Sequence, residues 1–240
     1  MGTYYFLMCL LPSLPTAPGD KMPAPFAELS GAILRHMQPA DESLVRSHLA
    51  VIDAANFENR ELGRDLFREG GTVSREELDA RRNLPAFIRA FQEEKERGIR
   101  KVHPYDRLWE LCYESILEEA RKRGCRYLLE YIPWEIELRN RLAAMRLREI
   151  GADAEERAVL PLIRNYDFTA LLSQIEGQKN PLAVERTLDT ERLKQIYHCQ
   201  GTDPFSLDAL LAYISRALIL GRWEKMQEPY DMKNYLYGGG

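Results

Sequence analysis

PYDRLWELCYESILEEARKRG, residues 104–124, carries apolar side chains at Leu108, Leu111, Cys112, Ile116, Leu117 and Ala120. Positions three and four apart share one face of an α-helix, so this spacing predicts a helix with one buried side. Its last turn, Arg121-Lys122-Arg123, sets positive charge at the negative end of the helix dipole, and Gly124 readily takes the left-handed stop conformation. Beyond it, Tyr127 to Ile132 leads into Pro133, and a second long helix is expected over 134–150, ending at Gly151. Two long helices with so short a link make an antiparallel hairpin, the expected centre of the fold.

Helical signals continue on both sides. From about Asp41, the residues Leu44, Val45, His48, Leu49, Val51 and Ile52 recur at helical spacing. Ser74 with Glu77 reads as a capping box, Pro85 suits the first turn of another helix, and Gly98 ends it. Shorter helices are expected at 154–160, 167–175 and 181–188, with Thr190 capping 191–198. Ser206 can cap the last long helix, where Leu207, Leu210, Leu211, Ile214, Leu218 and Trp223 keep one apolar stripe. No stretch alternates Val, Ile and Thr as strands do. The expected class is all-α: antiparallel helical hairpins packed into one elongated or funnel-like body over 41–228. Pro12 to Pro25 holds five prolines, so residues 1–40 read as an extended proline-rich arm packed on that body. The apolar run before Pro12 reads as a short strand or a buried extended piece, and 229–240 as a flexible tail.

The 240 residues suffice for a core without metal or disulfide staples. A hydrophobic share of 45% against 29% charged excludes both a disordered chain and a membrane-spanning one. A formal charge of −4 gives no broad attraction to nucleic acid, so no nucleic-acid partner is expected. No run approaches the ~20 apolar residues of a membrane span, and direct membrane insertion is not expected. Cys9, Cys112, Cys125 and Cys199 stand singly, which fits reduced thiols in a cytoplasm.

Chemistry-bearing patterns are lacking. Gly70-Gly71 is followed by neither the Lys nor the Ser/Thr placement of a phosphate loop and reads as a turn. His36, His48, His103 and His198 never fall one helical turn apart, and His198 and Cys199 point to different sides of a helix. No GxSxG turn marks a nucleophile, and paired carboxylates such as Glu118-Glu119 read as solvated faces. The chain is therefore expected to be no enzyme, with no catalytic residue, metal or cofactor.

The most distinctive segment is Trp134 to Arg148. Trp134, Leu138, Leu142 and Met145 fall on one helical face, with Arg139 and Arg146 along the next. It reads either as a core helix with an arginine-rich solvent side or as an interaction helix, since Trp and Arg are favoured interface anchors. On the second reading Trp134, Glu135, Arg139, Asn140 and Arg146 are candidate partner-binding residues, with Arg139 on an exposed contact face.

The pattern Glu135, Leu138, Arg139, Asn140, Ala143 and Arg146 resembles a helix of the C subunit of V/A-type ATPases, known as the d subunit in the eukaryotic pumps. The motif Tyr4-Tyr5-Phe6-Leu7, with Leu11-Pro12-Ser13-Leu14-Pro15 and then Asp53 and Asn56, resembles a bacterial C-subunit-like group of unassigned function usually encoded beside V/A-type ATPase genes. The resemblance implies an all-helical, non-catalytic rotor adaptor that links the central shaft to the membrane rotor ring and transmits torque. Its partners would be other ATPase subunits, and its place the cytoplasmic side of the inner membrane, held there through the complex. The chain is shorter than the usual member of that group of stalk proteins, which leaves a second expectation, an independent cytosolic helical assembly or protein-binding module associated with that ATPase.

Overall fold

The structure, a computed structural model, describes residues 3–99, 104–149, 151 and 166–227. Among these residues the fold is all-α. In chain order the helices are α1 (Tyr5–Leu10), α2 (Phe26–His36), α3 (Pro39–Glu61), α4 (Arg75–Asp79), α5 (Ala86–Glu96), α6 (Pro104–Arg123), α7 (Arg126–Glu149), α8 (Thr169–Glu176), α9 (Pro181–Cys199) and α10 (Leu207–Gln227). The expected helix at 154–160 and the tail at 229–240 lie outside the described residues.

The α6/α7 hairpin is the hub. α6 packs on α3, α5 and α7, while α7 packs on α6, α9 and α10. Leu108, Cys112, Ile116, Leu117 and Ala120 bury the apolar face of α6, as their spacing requires. Gly124 stops the helix at φ +63°, and its N–H closes on the Arg121 carbonyl. On the far side of the link, Asp208 of α10 accepts a hydrogen bond from the Tyr127 N–H at 3.3 Å, satisfying a donor that the start of α7 leaves open. The capping box of Ser74 and Glu77 opens α4, and the Ser206 hydroxyl accepts from the Ala209 N–H at the head of α10.

Three expectations need correction. α7 runs through Pro133 instead of starting after it. The proline lacks an N–H, but Tyr127, Leu128, Tyr131 and Ile132 before it and Trp134, Ile136 and Leu138 after it are all buried, and that packing outweighs one lost hydrogen bond. Thr190 caps nothing, because α9 continues through it and its hydroxyl donates to the Arg186 carbonyl at 2.7 Å. Asn180 caps that helix instead, accepting from the Leu182 N–H.

The third concerns residues 1–40, which hold two helices where an extended arm was expected. The opening apolar run is α1, neither strand nor extended piece: Tyr4 and Leu7 turn inward while Tyr5, Phe6 and Leu10 stay exposed. α2 buries Leu29 and Ile33 at helical spacing and packs on α10. Only the proline-rich piece between them is irregular. It is fastened by Tyr4, whose hydroxyl donates to Asp41 at 2.6 Å and whose N–H donates to the Phe205 carbonyl, and by Tyr213, whose hydroxyl donates to the Pro12 carbonyl.

Asp53 and Asn56, one turn apart on α3, clamp the loop that follows the helix. Asp53 accepts from the Thr72 N–H at 2.9 Å, the Thr72 hydroxyl at 2.6 Å and the Val73 N–H at 3.2 Å. The Asn56 side chain exchanges a reciprocal pair with the Arg68 backbone. The Gly70-Gly71 turn is what lets the loop approach so closely. Gly70 has φ +94°, and a Cβ on Gly71 would stand 2.3 Å from an Asp53 carboxylate oxygen. Gly71→Ala should therefore destabilise the fold by about 1–3 kcal/mol, while Gly177→Ala, with nothing nearer than 3.9 Å, should stay within about 0.5 kcal/mol of the parent. Urea unfolding midpoints of the two variants separate these outcomes.

Candidate functional site

Where α6, α7, α9 and α10 meet, a cleft of about 380 Å³ opens to the surface. Its walls include Trp109 and Tyr113 of α6, Arg139, Asn140 and Arg146 of α7, Arg192 of α9 and Arg222 of α10. Adjoining it is a second, partly open pocket of about 160 Å³, the inner chamber, that shares Tyr113, Arg139, Arg192 and Arg222 and adds His48, Arg68, Tyr131, Glu135, Asp189 and Ser215.

A ladder of ion pairs crosses this region. Glu135, only 7% exposed, accepts from Arg139 at 3.1 Å one helical turn on, and from Arg192 of α9 at 2.9 and 3.1 Å. Arg192 also donates to Asp189 at 3.0 Å, and Asp189 accepts from the Trp223 indole N–H at 2.7 Å and from Arg222. Arg222 then reaches Glu185 at 2.8 Å. Spacings of three and four residues align the pairs within one helix, and the remainder join α7 to α9 and α9 to α10. Burial raises the Glu135 pKa, but the Arg192 and Arg139 guanidiniums outweigh it and hold the carboxyl below its ordinary value. In turn, burial disfavours the Arg192 charge and Glu135 more than restores it. Across the mouth, the Arg139 guanidinium lies 4.6 Å from the Trp109 ring centroid and 5.6 Å from that of Tyr113, and the Trp109 indole donates to Glu58 at 2.8 Å.

A second chain of polar groups links α7, α10 and α3 beside the chamber. The Tyr127 hydroxyl donates to Ser215 Oγ at 2.7 Å, and Ser215 Oγ lies 2.7 Å from His48 Nε2. With the Ser215 proton directed to Nε2, the imidazole carries its own proton on Nδ1, which is buried and has no hydrogen-bond partner among the described residues. A serine beside a histidine invites comparison with a nucleophile and its base. The environment opposes that role, since burial lowers the His48 pKa to about 4 and no described carboxylate holds Nδ1. Burial likewise pushes the Cys125 thiol up to about 12 and the Cys199 thiol to about 11, away from thiolate chemistry. No group of His, Cys, Asp or Glu among the described residues is placed to hold a metal ion, and no described helix is long and apolar enough to cross a membrane.

The candidate partner-binding residues divide. Arg139, Asn140 and Arg146 do line one cleft, as a shared helical face implies. Arg146 is exposed and forms no ion pair with any described residue. Trp134 is in the core, stacked on Tyr131 and tilted against Phe168, and Glu135 is buried in the lining of the inner chamber and paired with two arginines. Arg139 departs from its expected exposed contact face. Its side chain is 41% exposed, with the guanidinium engaged by Glu135 and two rings, so charge reversal there would set two carboxylates side by side and damage the fold. Tyr4, Tyr5, Pro12, Asp53 and Asn56 are not in the lining of the cleft or the chamber, although Asn56 holds the backbone of Arg68, which is. Tyr4, Pro12, Asp53 and Asn56 fasten loops and segments, while Tyr5 is exposed against Phe205.

Arg192, Asp189, Arg222 and Arg68 were missed in the sequence. The Asp189/Arg192 and Trp109/Tyr113 spacings were available signals, one an ion pair and the other an aromatic pair on a helical face. Arg68 sits in a loop and carried no signal.

Fold and site together define a helical protein with a cleft built largely from paired ionic side chains. Residues 1–233 match the profile of the family described as "Protein of unknown function (DUF2764)", and the chain belongs to that family. No curated protein and no solved structure matches it.

Proposed function

We propose that this chain is a non-catalytic rotor-stalk subunit of a V/A-type ion-translocating ATPase, seated in the cytoplasm between the central shaft and the membrane rotor ring. The observation that carries this reading is the ion-pair ladder from Glu135 through Arg192 and Asp189 to Arg222, which cross-links α7, α9 and α10. A torque-bearing adaptor needs a body that resists deformation and sites by which it is gripped. Dense helix packing reinforced by directional charged hydrogen bonds supports the first need. For the second, Arg146 presents a charge that no described residue pairs, and α1 presents Tyr5, Phe6 and Leu10. Glu135 and Arg139, part of the pattern that resembles the ATPase stalk helix, belong to the same ladder.

The test is affinity capture of the full chain from cells with intact ATPase. The parent should return with the membrane-bound complex at one copy per rotor. Arg146→Glu should reduce that recovery at least about tenfold with its thermal midpoint within ~2 °C of the parent, because the exposed side chain supports no described part of the fold. Repeated recovery without any other ATPase protein, while the complex remains intact, would overturn the reading. Recovery only with part-built complexes would replace it by an assembly factor.

A further inference from the structure

The inner chamber is lined by hydrogen-bond donors that find no acceptor among the described residues. Four guanidiniums, of Arg68, Arg139, Arg192 and Arg222, line it together with two carboxylates, of Glu135 and Asp189. Adding Glu185, which reaches Arg222 from the outer cleft, still leaves one positive charge in excess. The excess is assigned to Arg68. Its side chain is exposed at the rim of the chamber and its guanidinium bonds to no described residue, while its backbone is fixed by Asn56.

Tyr113 and Tyr131 add two hydroxyl groups to the lining. Both line the chamber at 1% and 6% exposure, and neither hydroxyl has a hydrogen-bond partner among the described residues. Within the described residues, Nε and Nη2 of Arg222 are engaged and Nη1 is not; of Arg139, only Nε is. The two carboxylates are already saturated by arginines and the Trp223 indole. What the chamber lacks is an acceptor with several oxygens and negative charge.

We infer that the inner chamber is a binding site for a phosphate-type oxyanion, either free phosphate or the phosphoryl group of a small organic phosphate. The volume, about 160 Å³, suits one such group with a water or two at roughly 30 Å³ each. A halide would leave most donors unmet, and the fork of a guanidinium matches two oxygens at once. The remainder of an organic phosphate would extend into the outer cleft, against Tyr105 and Trp109. Desolvation, then the nearby Arg222 and Arg139 charges, lower the Arg68 pKa, and Asp189 opposes them. This inference does not depend on the ATPase reading.

Titration calorimetry of the full chain with sodium phosphate, with adenosine monophosphate and with sodium chloride at matched ionic strength tests it. Phosphate or the nucleotide should bind saturably at one site per chain, and chloride should not. Equal affinities identify free phosphate as the ligand, while a tenfold preference for the nucleotide identifies an organic phosphate. Arg68→Gln and Tyr113→Phe should each weaken binding about tenfold with unliganded thermal midpoints near the parent's. Absence of saturable binding, or affinity that neither substitution alters, would overturn the proposal.

Discussion

Asp189→Ala is expected to lower the free energy of unfolding by about 3–5 kcal/mol. Asp189 is 1% exposed and accepts from three side chains, Arg192, Arg222 and Trp223. Truncation takes from two guanidiniums one acceptor each, leaving Arg192 with Glu135 and Arg222 with Glu185, and leaves the buried Trp223 indole N–H with none. The penalty therefore exceeds the small net worth of the ion pairs themselves, because removing one partner leaves the others short of an acceptor. For a chain of this length the thermal midpoint should fall by roughly 10 °C. Asp189→Asn, which keeps an acceptor oxygen and loses the charge, should fall between parent and alanine variant. Calorimetric unfolding of the three proteins measures this. A loss under about 1 kcal/mol would show that the ladder is not what joins α9 to α10.

The second expectation is a pair of opposed pH dependences that conceal each other. Burial lowers the His48 pKa from 6.5 to about 4. The unfolded chain thus binds a proton there first, and the contribution of His48 is complete above about pH 6.5 and fades as pH falls toward 4. Asp53 runs the other way. Burial raises its pKa from 3.8 to about 6, only partly offset by hydrogen bonds from Thr72 and Val73, and Glu77 adds to the rise. The folded chain keeps this proton longer, so the contribution of Asp53 is complete below about pH 4 and is lost as pH rises through 6.

Each amounts to roughly 3 kcal/mol, and between pH 4 and 6 they nearly cancel. Carboxylates that their partners hold low, Glu135 among them, act mainly below that window. The parent's stability should then be nearly flat over the interval. Asp53→Asn should expose a steep loss on acidification, and His48→Gln a loss on going from pH 4 to 6. Urea unfolding midpoints at half-unit pH steps give both slopes. If the two variants kept the flat profile of the parent, both titrations would be misassigned.

The parts of the fold that could be read from residue order are those set by neighbours in the chain. The apolar face of α6, the stop at Gly124, the Ser74–Glu77 box and the stripe of α10 all depend on partners within one or two turns. Pro133 was misread because its local effect is real, while what overrides it is burial against three other helices. α1 was misread because six apolar residues with no cap carry no period long enough to separate helix from strand. The same divide runs through the site. Helical spacing placed Arg139 and Arg146 on a common face, but what covers a face comes from elsewhere in the chain, and Glu135 meets an arginine 57 residues away. Arg139 looked free for that reason.

The clasp between the two ends of the described chain also bears on the order in which it folds. Tyr213 reaches back 201 residues to the Pro12 carbonyl, and Tyr4 hydrogen-bonds to Phe205. During synthesis α1 and the proline-rich piece leave the ribosome long before their seat exists. They must wait, with Tyr4 and Leu7 uncovered, until α10 has emerged and docked. Contacts so distant close late and slowly, so α1 is among the last of the described helices to settle.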